Sequence, residues 1–258
     1  MFGRDARLAG ALGALITIAT TTAIMAGGSA VAAPQPDAGP DTCSFTTELI
    51  DRNPYLSMKN AARIIETDCG YRYRAGQQDS HLVIRQVGDK LRFADRGTDR
   101  IDKLPAKCTE IKGVRGIAAV CPISYGISVD NRLLVEVWPR LGDDFVDGST
   151  LSEEFSLTVL GDGGNDTALL GAGPDFFNGA FGNDRVQGGA GDDWIRTGDQ
   201  HDRAKAGPGN DHITGGYGTD TIVGGEGADR VYCGGGRDSA TRDAGDIIVF
   251  KCESVTSN

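Results

Sequence analysis

The sequence is poor in the residues and motifs that carry enzyme catalysis. Its 258 residues include three histidines, His81, His201 and His212. It contains neither the His-Glu-x-x-His motif of zinc proteases nor the Gly-x-Ser-x-Gly motif of serine hydrolases. An isolated histidine on a strand is far more often structural than catalytic. We therefore assign no catalytic residue and expect a protein that is not an enzyme.

Basic residues are also scarce relative to acidic ones. The chain has 26 lysines and arginines against 36 aspartates and glutamates, which gives a formal net charge of −10 at pH 7. A chain of this sign is repelled by nucleic acid and by anionic lipid, and it attracts cations. The charge balance thus argues against a nucleic-acid partner and favours a cation as the ligand.

A nine-residue repeat runs without interruption from Gly161 to Thr241. Position 4 of the repeat is glycine in eight of the nine units, and position 8 is always apolar. Glycine enters left-handed backbone conformations at little cost, which indicates a sharp turn, and the apolar position indicates a short strand with one inward side chain. A fixed short period of this kind predicts a solenoid. Position 6 is always aspartate: Asp166, Asp175, Asp184, Asp193, Asp202, Asp211, Asp220, Asp229 and Asp238.

This segment resembles the glycine-rich calcium-binding nonapeptides of RTX (repeats-in-toxin, haemolysin-type) proteins. The resemblance implies an all-β fold, in which two nonapeptides make one turn of a right-handed parallel β-roll or β-helix solenoid. It also implies several calcium ions held between turns by oxygen ligands, of which calcium takes six to eight. The implied ligands are the nine aspartate carboxylates and carbonyls of the glycine loops, with Gly164, Gly182, Gly191, Gly209, Gly218 and Gly227 among them.

The alternative for residues 161–241 is a solvated, disordered tract rich in glycine and aspartate. The apolar residue fixed at position 8 argues against permanent disorder. However, nine modest apolar side chains stabilise little, and stacked carboxylates repel one another. We therefore expect calcium binding to be coupled to the folding of the roll.

The N-terminus, residues 1–32, has the pattern of a secretory signal peptide. Arg4 and Arg7 precede an apolar run from Leu8 to Ala26, and Ala30-Val31-Ala32 supplies small residues for cleavage. A retained membrane anchor is the alternative, because the run approaches spanning length. We expect export, cleavage and an extracellular protein without stable membrane insertion.

Residues 33–80 are predicted to form a lead-in and an N-terminal cap that bears one short helix. Asn53 suits the N-cap and Pro54 the first helical position, and Gly70 follows as a stop. Four apolar side chains have helical spacing: Tyr55, Met58, Ala62 and Ile65. We expect this helix to cap the solenoid, with a partner-binding face as the alternative.

Residues 81–160 change to a period of two and are predicted to form strands. Gly88-Asp89 between two such runs reads as a tight hairpin. Asp144 lies in a shortened repeat and is either a further calcium ligand or part of a strand-end turn. Residues 242–258 form an atypical end unit that caps the solenoid. The whole order resembles secreted bacterial calcium-binding β-roll proteins.

The six cysteines favour disulfides, since their number is even and no Cys-x-x-Cys spacing suggests zinc. Fifteen pairings are possible. Because sequence neighbours fall within separate segments, the expected pairs are Cys43–Cys69, Cys108–Cys121 and Cys233–Cys252.

Three functions remain open from the sequence. The first is a secreted calcium-binding protein with a structural or interaction role and a possible partner outside the cell or in its envelope. The second is a binding or inhibitory module, with the N-terminal part as effector and the roll as carrier. The third is an enzyme with an unrecognised site.

Overall fold

The computed structural model describes residues 60–76, 78–123 and 126–257, and this part of the chain contains strands and no helix. Seven strands precede the solenoid: β1 Ala61–Thr67, β2 Gly70–Arg74, β3 His81–Val87, β4 Lys90–Asp95, β5 Arg100–Lys103, β6 Thr109–Glu110 and β7 Ile117–Pro122. Fourteen strands follow: β8 Leu133–Trp138, β9 Phe145–Asp147, β10 Phe155–Leu160, β11 Thr167–Leu169, β12 Phe176–Phe181, β13 Arg185–Gln187, β14 Trp194–Gln200, β15 Arg203–Lys205, β16 His212–Gly218, β17 Thr221–Val223, β18 Arg230–Gly236, β19 Ser239–Arg242, β20 Ile247–Phe250 and β21 Ser254–Ser257.

From β8 onward the chain winds as a parallel β-solenoid. Even-numbered strands from β8 to β20 lie in one sheet, called here the first sheet, and odd-numbered strands from β9 to β21 lie in the second sheet. Each strand pairs in parallel with the strand two further along, and in the repeats the paired residues are 18 positions apart. Two nonapeptides therefore make one coil, and fourteen strands in two sheets make about seven coils.

The apolar residue at position 8 fills the space between the two sheets. Phe177, Ile195 and Ile213 follow one another in register in the first sheet, and each is fully buried. Val186, Ala204 and Ile222 follow one another in the same way in the second sheet, and all three are buried. Because successive strand residues point to opposite faces, one inward side chain per short strand is enough to build this narrow core.

The strands before β8 extend both sheets and close the N-terminal end of the solenoid. β2 pairs in parallel with β8 and antiparallel with β1, while β3 pairs in parallel with β9 and antiparallel with β4. The predicted hairpin at Gly88-Asp89 is confirmed by the pairing of Val87 with Lys90. Antiparallel strands packed around Tyr71, Tyr73 and Phe93 thus cover an edge that would otherwise be open.

The predicted helix is wrong where the structure describes it. Residues 61–67 form β1, which turns through Asp68-Cys69 and pairs with β2. From Ala62 onward the buried Ala62 and Ile64 alternate with the more exposed Arg63 and Ile65, which is the period of a strand. The pairing of this β-branched run with the alternating Gly70–Arg74 outweighs the helical spacing of four apolar residues. Residues 53–59, and the predicted signal at 1–32, lie outside the described residues.

Two of the expected disulfides are present. Cys108 is bonded to Cys121, and Cys233 to Cys252, with Cα–Cα distances of 4.3 and 5.2 Å. The second one ties the last strands to the final repeat, at the end where a solenoid frays. The third expected pair includes Cys43, which lies outside the described residues. Across those residues no helix has the length and apolar character to cross a membrane.

Candidate metal sites

The nine repeat aspartates form two rows, because each coil contains two nonapeptides. Every one of them is buried, with at most 5% of its surface exposed. In the first row each aspartate lies in the loop that comes after a strand of the first sheet, and the row contains Asp166, Asp184, Asp202, Asp220 and Asp238. In the second row each aspartate lies in the loop that comes after a strand of the second sheet, and the row contains Asp175, Asp193, Asp211 and Asp229.

One carboxylate oxygen of each aspartate bridges two coils. In the first row, Asp166 N–H donates to Oδ1 of Asp184 at 2.8 Å, and Asp184 N–H donates to Oδ1 of Asp202 at 2.7 Å. The second row repeats this contact, with Asp193 N–H donating to Oδ1 of Asp211 at 2.8 Å. Oδ1 is therefore used in holding the coils together.

The other carboxylate oxygen has no donor in nearly every repeat. Oδ2 is buried and without a hydrogen bond in eight of the nine aspartates, and only Asp175 differs, since its Oδ2 accepts from Gly171 N–H at 2.7 Å. A buried charged oxygen without a partner is costly. Two rows of such oxygens are the strongest indication that the loops hold a cation.

Burial raises the pKa of most of these carboxyl groups. It raises the pKa of Asp184 to about 7 and of Asp193 to about 9, and neighbouring carboxylates add to the shift. The pKa is raised to about 7 at Asp175 and Asp211 and to about 6 at Asp166 and Asp220, and it is raised at Asp202 and Asp229. Positive charge is thus needed to keep the rows ionised in the folded state.

Glycine at position 4 allows the loops to stack. Gly182 and Gly218 have φ angles of 136° and 146°, a region that favours glycine. A Cβ at either position would also lie 1.7 Å from the carbonyl oxygen of the position-4 residue one coil earlier. The loops therefore bring backbone carbonyl oxygens close to the next coil. Beside the carboxylates the close approach is at position 1, where a Cβ on Gly179 would lie 2.0 Å from Asp184 Oδ2 and 2.5 Å from the carbonyl oxygen of Thr197.

The imperfect fifth repeat keeps its place in the stack. Gln200 occupies position 4 with φ 89°, so a residue with a side chain adopts the left-handed conformation. Gln200 nonetheless pairs in register with Gly218. A side chain at this position predicts that the turn either widens or holds an ion less well than its neighbours, and the register with Gly218 shows no widening.

Three carboxylates outside the repeats continue the rows. At the N-terminal end, Asp144 accepts from Ser80 N–H and donates its own N–H to Asp166 Oδ1 at 2.9 Å. Its Oδ2 is buried without a donor, and burial raises its pKa to about 8. At the other end Asp246 accepts from Asp229 N–H and Glu253 from Asp238 N–H. The sequence indicated Asp144 as a candidate, but it did not indicate Asp246 or Glu253, which are 17 and 15 residues from their donors rather than 18.

The residues at repeat position 5, directly before the aspartates of the first row, form a second and exposed series of hydrogen bonds between coils. Asn183 N–H donates to Oδ1 of Asn165, and His201 N–H donates to Oδ1 of Asn183. Nδ1 of His201 in turn accepts from Thr219 N–H at 3.0 Å. The His201 side chain therefore accepts the backbone hydrogen bond that an asparagine side-chain oxygen accepts in the coils before it, which gives this histidine a structural role.

The donor set fits calcium. No group of three or more metal-ligating side chains occurs among the described residues, because the carboxylates are one coil apart. Each ion would therefore draw on carboxylate Oδ2 atoms and on loop carbonyls together, and calcium accepts such a mixed oxygen shell with flexible geometry. The arrangement presents oxygen ligands only.

The comparison with known families agrees with this chemistry. The RTX calcium-binding nonapeptide repeat family matches in four overlapping copies, at residues 160–195, 169–204, 178–213 and 205–240. No curated protein and no solved structure matches the chain. Residues 160–240 are accordingly an array of RTX calcium-binding nonapeptide repeats, wound into a parallel β-solenoid.

Proposed function

We propose that this is a secreted, non-enzymatic protein whose roll becomes ordered on binding calcium, and which has a structural or interaction role outside the cell. The observation that carries the proposal is the pair of rows of buried Oδ2 atoms without donors. When bound, calcium supplies the positive charge that these oxygens lack.

The strands before the solenoid, β1 to β7 at residues 61–122, are called here the N-terminal cap. This cap differs from the roll because its buried carboxylate, Asp95, has protein donors. Asp95 is fully buried and accepts hydrogen bonds from Tyr73 Oη at 2.6 Å, Ser80 Oγ at 2.8 Å and Thr98 Oγ1 at 2.6 Å. Backbone N–H groups of His81 and Gly97 donate to its other oxygen. With five donors, Asp95 needs no cation, so the cap is expected to remain folded without calcium.

Hydrogen exchange in chelator and in millimolar calcium tests the proposed coupling. Amides of residues 161–241 are expected to lose protection in chelator, whereas those of β3, β4 and β7 keep theirs. Magnesium is expected to restore little protection, because it demands tight octahedral geometry and dehydrates reluctantly. Protection of the repeats that is the same in chelator and in calcium would refute the coupling.

Export rests on two features of the chain. Disulfides such as Cys108–Cys121 and Cys233–Cys252 persist in oxidising compartments. The signal pattern at 1–32 predicts that the mature protein begins at Ala33. N-terminal sequencing of the protein from the culture medium checks this. An intact Met1 on protein found only in the cell pellet would contradict export.

A further inference from the structure

We propose that a groove in the N-terminal cap binds a small organic anion that has an apolar body. The groove, called here the arginine groove, has a volume of about 500 Å³. It is lined by Arg92, Arg96 and Arg115 together with the apolar Val83, Ala94 and Val114. Leu82, Ile84, Leu91 and Phe93 point into the core, so the alternate residues of β3 and β4 place this groove on the outer face of the second sheet.

The charge of the groove is uncompensated. Among the described residues, the guanidinium groups of Arg92, Arg96 and Arg115 have no hydrogen bond or ion pair, and no acidic residue lines the groove. The neighbouring Arg85 lies directly opposite Arg92 across β3 and β4, and both of its terminal nitrogens bond to Asp147. Arg85 is therefore neutralised and Arg92 is not, although like charges opposite each other destabilise a sheet. An anion in the groove would remove this imbalance.

The arginines are held on a rigid support. Gly116 has φ 73°, and a Cβ there would lie 2.1 Å from the carbonyl oxygen of Asp95. The segment that carries Val114 and Arg115 is thereby pressed against the end of β4, next to Arg96. Asp95 is itself fixed by its five donors, and the Cys108–Cys121 disulfide closes the loop. Such preorganisation lowers the entropic cost of binding.

The lining defines the class of ligand. A guanidinium group presents a planar fork of donors that matches a carboxylate or a phosphate. The apolar floor formed by Val83, Ala94 and Val114 suits a ring or a short carbon chain attached to that anion. The volume is in the range of sites for small molecules. The groove lies wholly before the repeats, so the inference does not depend on the calcium-induced folding of the roll.

Calorimetry on the full mature chain tests the proposal with phenyl phosphate as the probe, in calcium-free buffer because calcium would precipitate inorganic phosphate and bind the phosphate group of the probe. Inorganic phosphate tests the anion alone, and phenol tests the apolar body alone. Phenyl phosphate is expected to bind at one site, inorganic phosphate about tenfold more weakly, and phenol not at all. Arg92→Gln, Arg96→Gln and Arg115→Gln are each expected to weaken phenyl phosphate binding about fivefold or more.

Arg203→Gln is the matched control. Arg203 is an exposed arginine on β15 of the same sheet, outside the groove, and its replacement is expected to leave binding unchanged. Arg115→Lys keeps the charge but loses the planar fork, so it is expected to have intermediate affinity. Equal binding by the wild type and the three groove variants would overturn the proposal. So would inorganic phosphate binding as tightly as phenyl phosphate, since the apolar floor would then contribute nothing.

Discussion

In chelator, the repeats are expected to gain β-structure as the pH is lowered and to lose it as the pH is raised. Six repeat carboxyl groups have a folded-state pKa between about 6 and about 9, against an ordinary value of 3.8. In each case burial of the charged form is the main cause. The calcium-free fold therefore binds more protons than the unfolded chain throughout this interval.

The sign of the pH dependence follows from proton linkage. A carboxyl group whose pKa is raised by folding stabilises the folded state, and this stabilisation is fully present when the pH is below the pKa of the group in the unfolded chain, near 3.8. That contribution is lost as the pH rises through the folded values, from about 6 at Asp166 to about 9 at Asp193. In calcium the dependence is expected to reverse, because protons compete with the ion for the same oxygens.

Tryptophan fluorescence can follow this reversal. Trp194 lies on β14 within the repeats, and Trp138, on β8, is the only other tryptophan. A Trp138→Phe protein therefore reports on the roll alone, and far-UV circular dichroism gives an independent measure of β-structure. Titration from about pH 9 to about pH 5 is expected to order the chelated roll and to weaken the calcium-loaded one. A chelated protein that unfolds further on acidification would contradict the burial of the two rows of carboxylates.

The roll could be predicted well from the sequence because every nonapeptide makes the same contacts with the coils before and after it. Position 8 of each unit meets position 8 of the next coil, as Ile195 meets Ile213, so one correct assignment determines all the others. The two disulfides at Cys108 and Cys233 followed from the same ordering of the chain into segments.

The N-terminal cap was harder to predict because its strands do not repeat. The spacing of Ala62 and Ile65 fits a helix. Only the pairing of β1 with β2 shows that this segment is a strand, in which buried and exposed residues alternate. The donors of Asp95 come from positions as far apart as Tyr73 and Thr98, which no local pattern connects. Asp246 and Glu253 were missed for the same reason, since their register depends on where the last two strands pair.

Asp202→Ala is expected to harm calcium-induced folding less than Asp184→Ala does, although the two aspartates are neighbours in the first row. Each loses the same kind of contact, an Oδ1 that accepts a backbone N–H from the preceding coil. They differ in the loop beside them, since Gly182 occupies position 4 before Asp184 and Gln200 occupies it before Asp202. The loop before Asp184 itself holds one side chain in the left-handed region, Ala180 at position 2 with φ 73°, so the difference lies at position 4 alone. Asp220, whose loop has Gly216 and Gly218 at the two positions, is the reference without such a side chain.

The strain at Gln200 is the physical reason for the difference. A residue with a side chain at φ 89° costs roughly 1–2 kcal/mol in the left-handed region, so the fifth loop is less able to tighten around an ion. Asp184→Ala is expected to raise the calcium midpoint about tenfold, and Asp202→Ala about threefold. Calcium titration of both variants by calorimetry, with Asp220→Ala as a second reference, measures these values.

Gln200→Gly gives the opposite test of the same strain. Removing the side chain relieves the left-handed penalty without touching a carboxylate, so it is expected to lower the calcium midpoint by up to about tenfold. In that background, Asp202→Ala is expected to become as damaging as Asp184→Ala, because the fifth loop then matches its neighbours. If Asp202→Ala is instead the most damaging variant in the wild-type background, the fifth loop is a strong site and the strain at Gln200 does not weaken it.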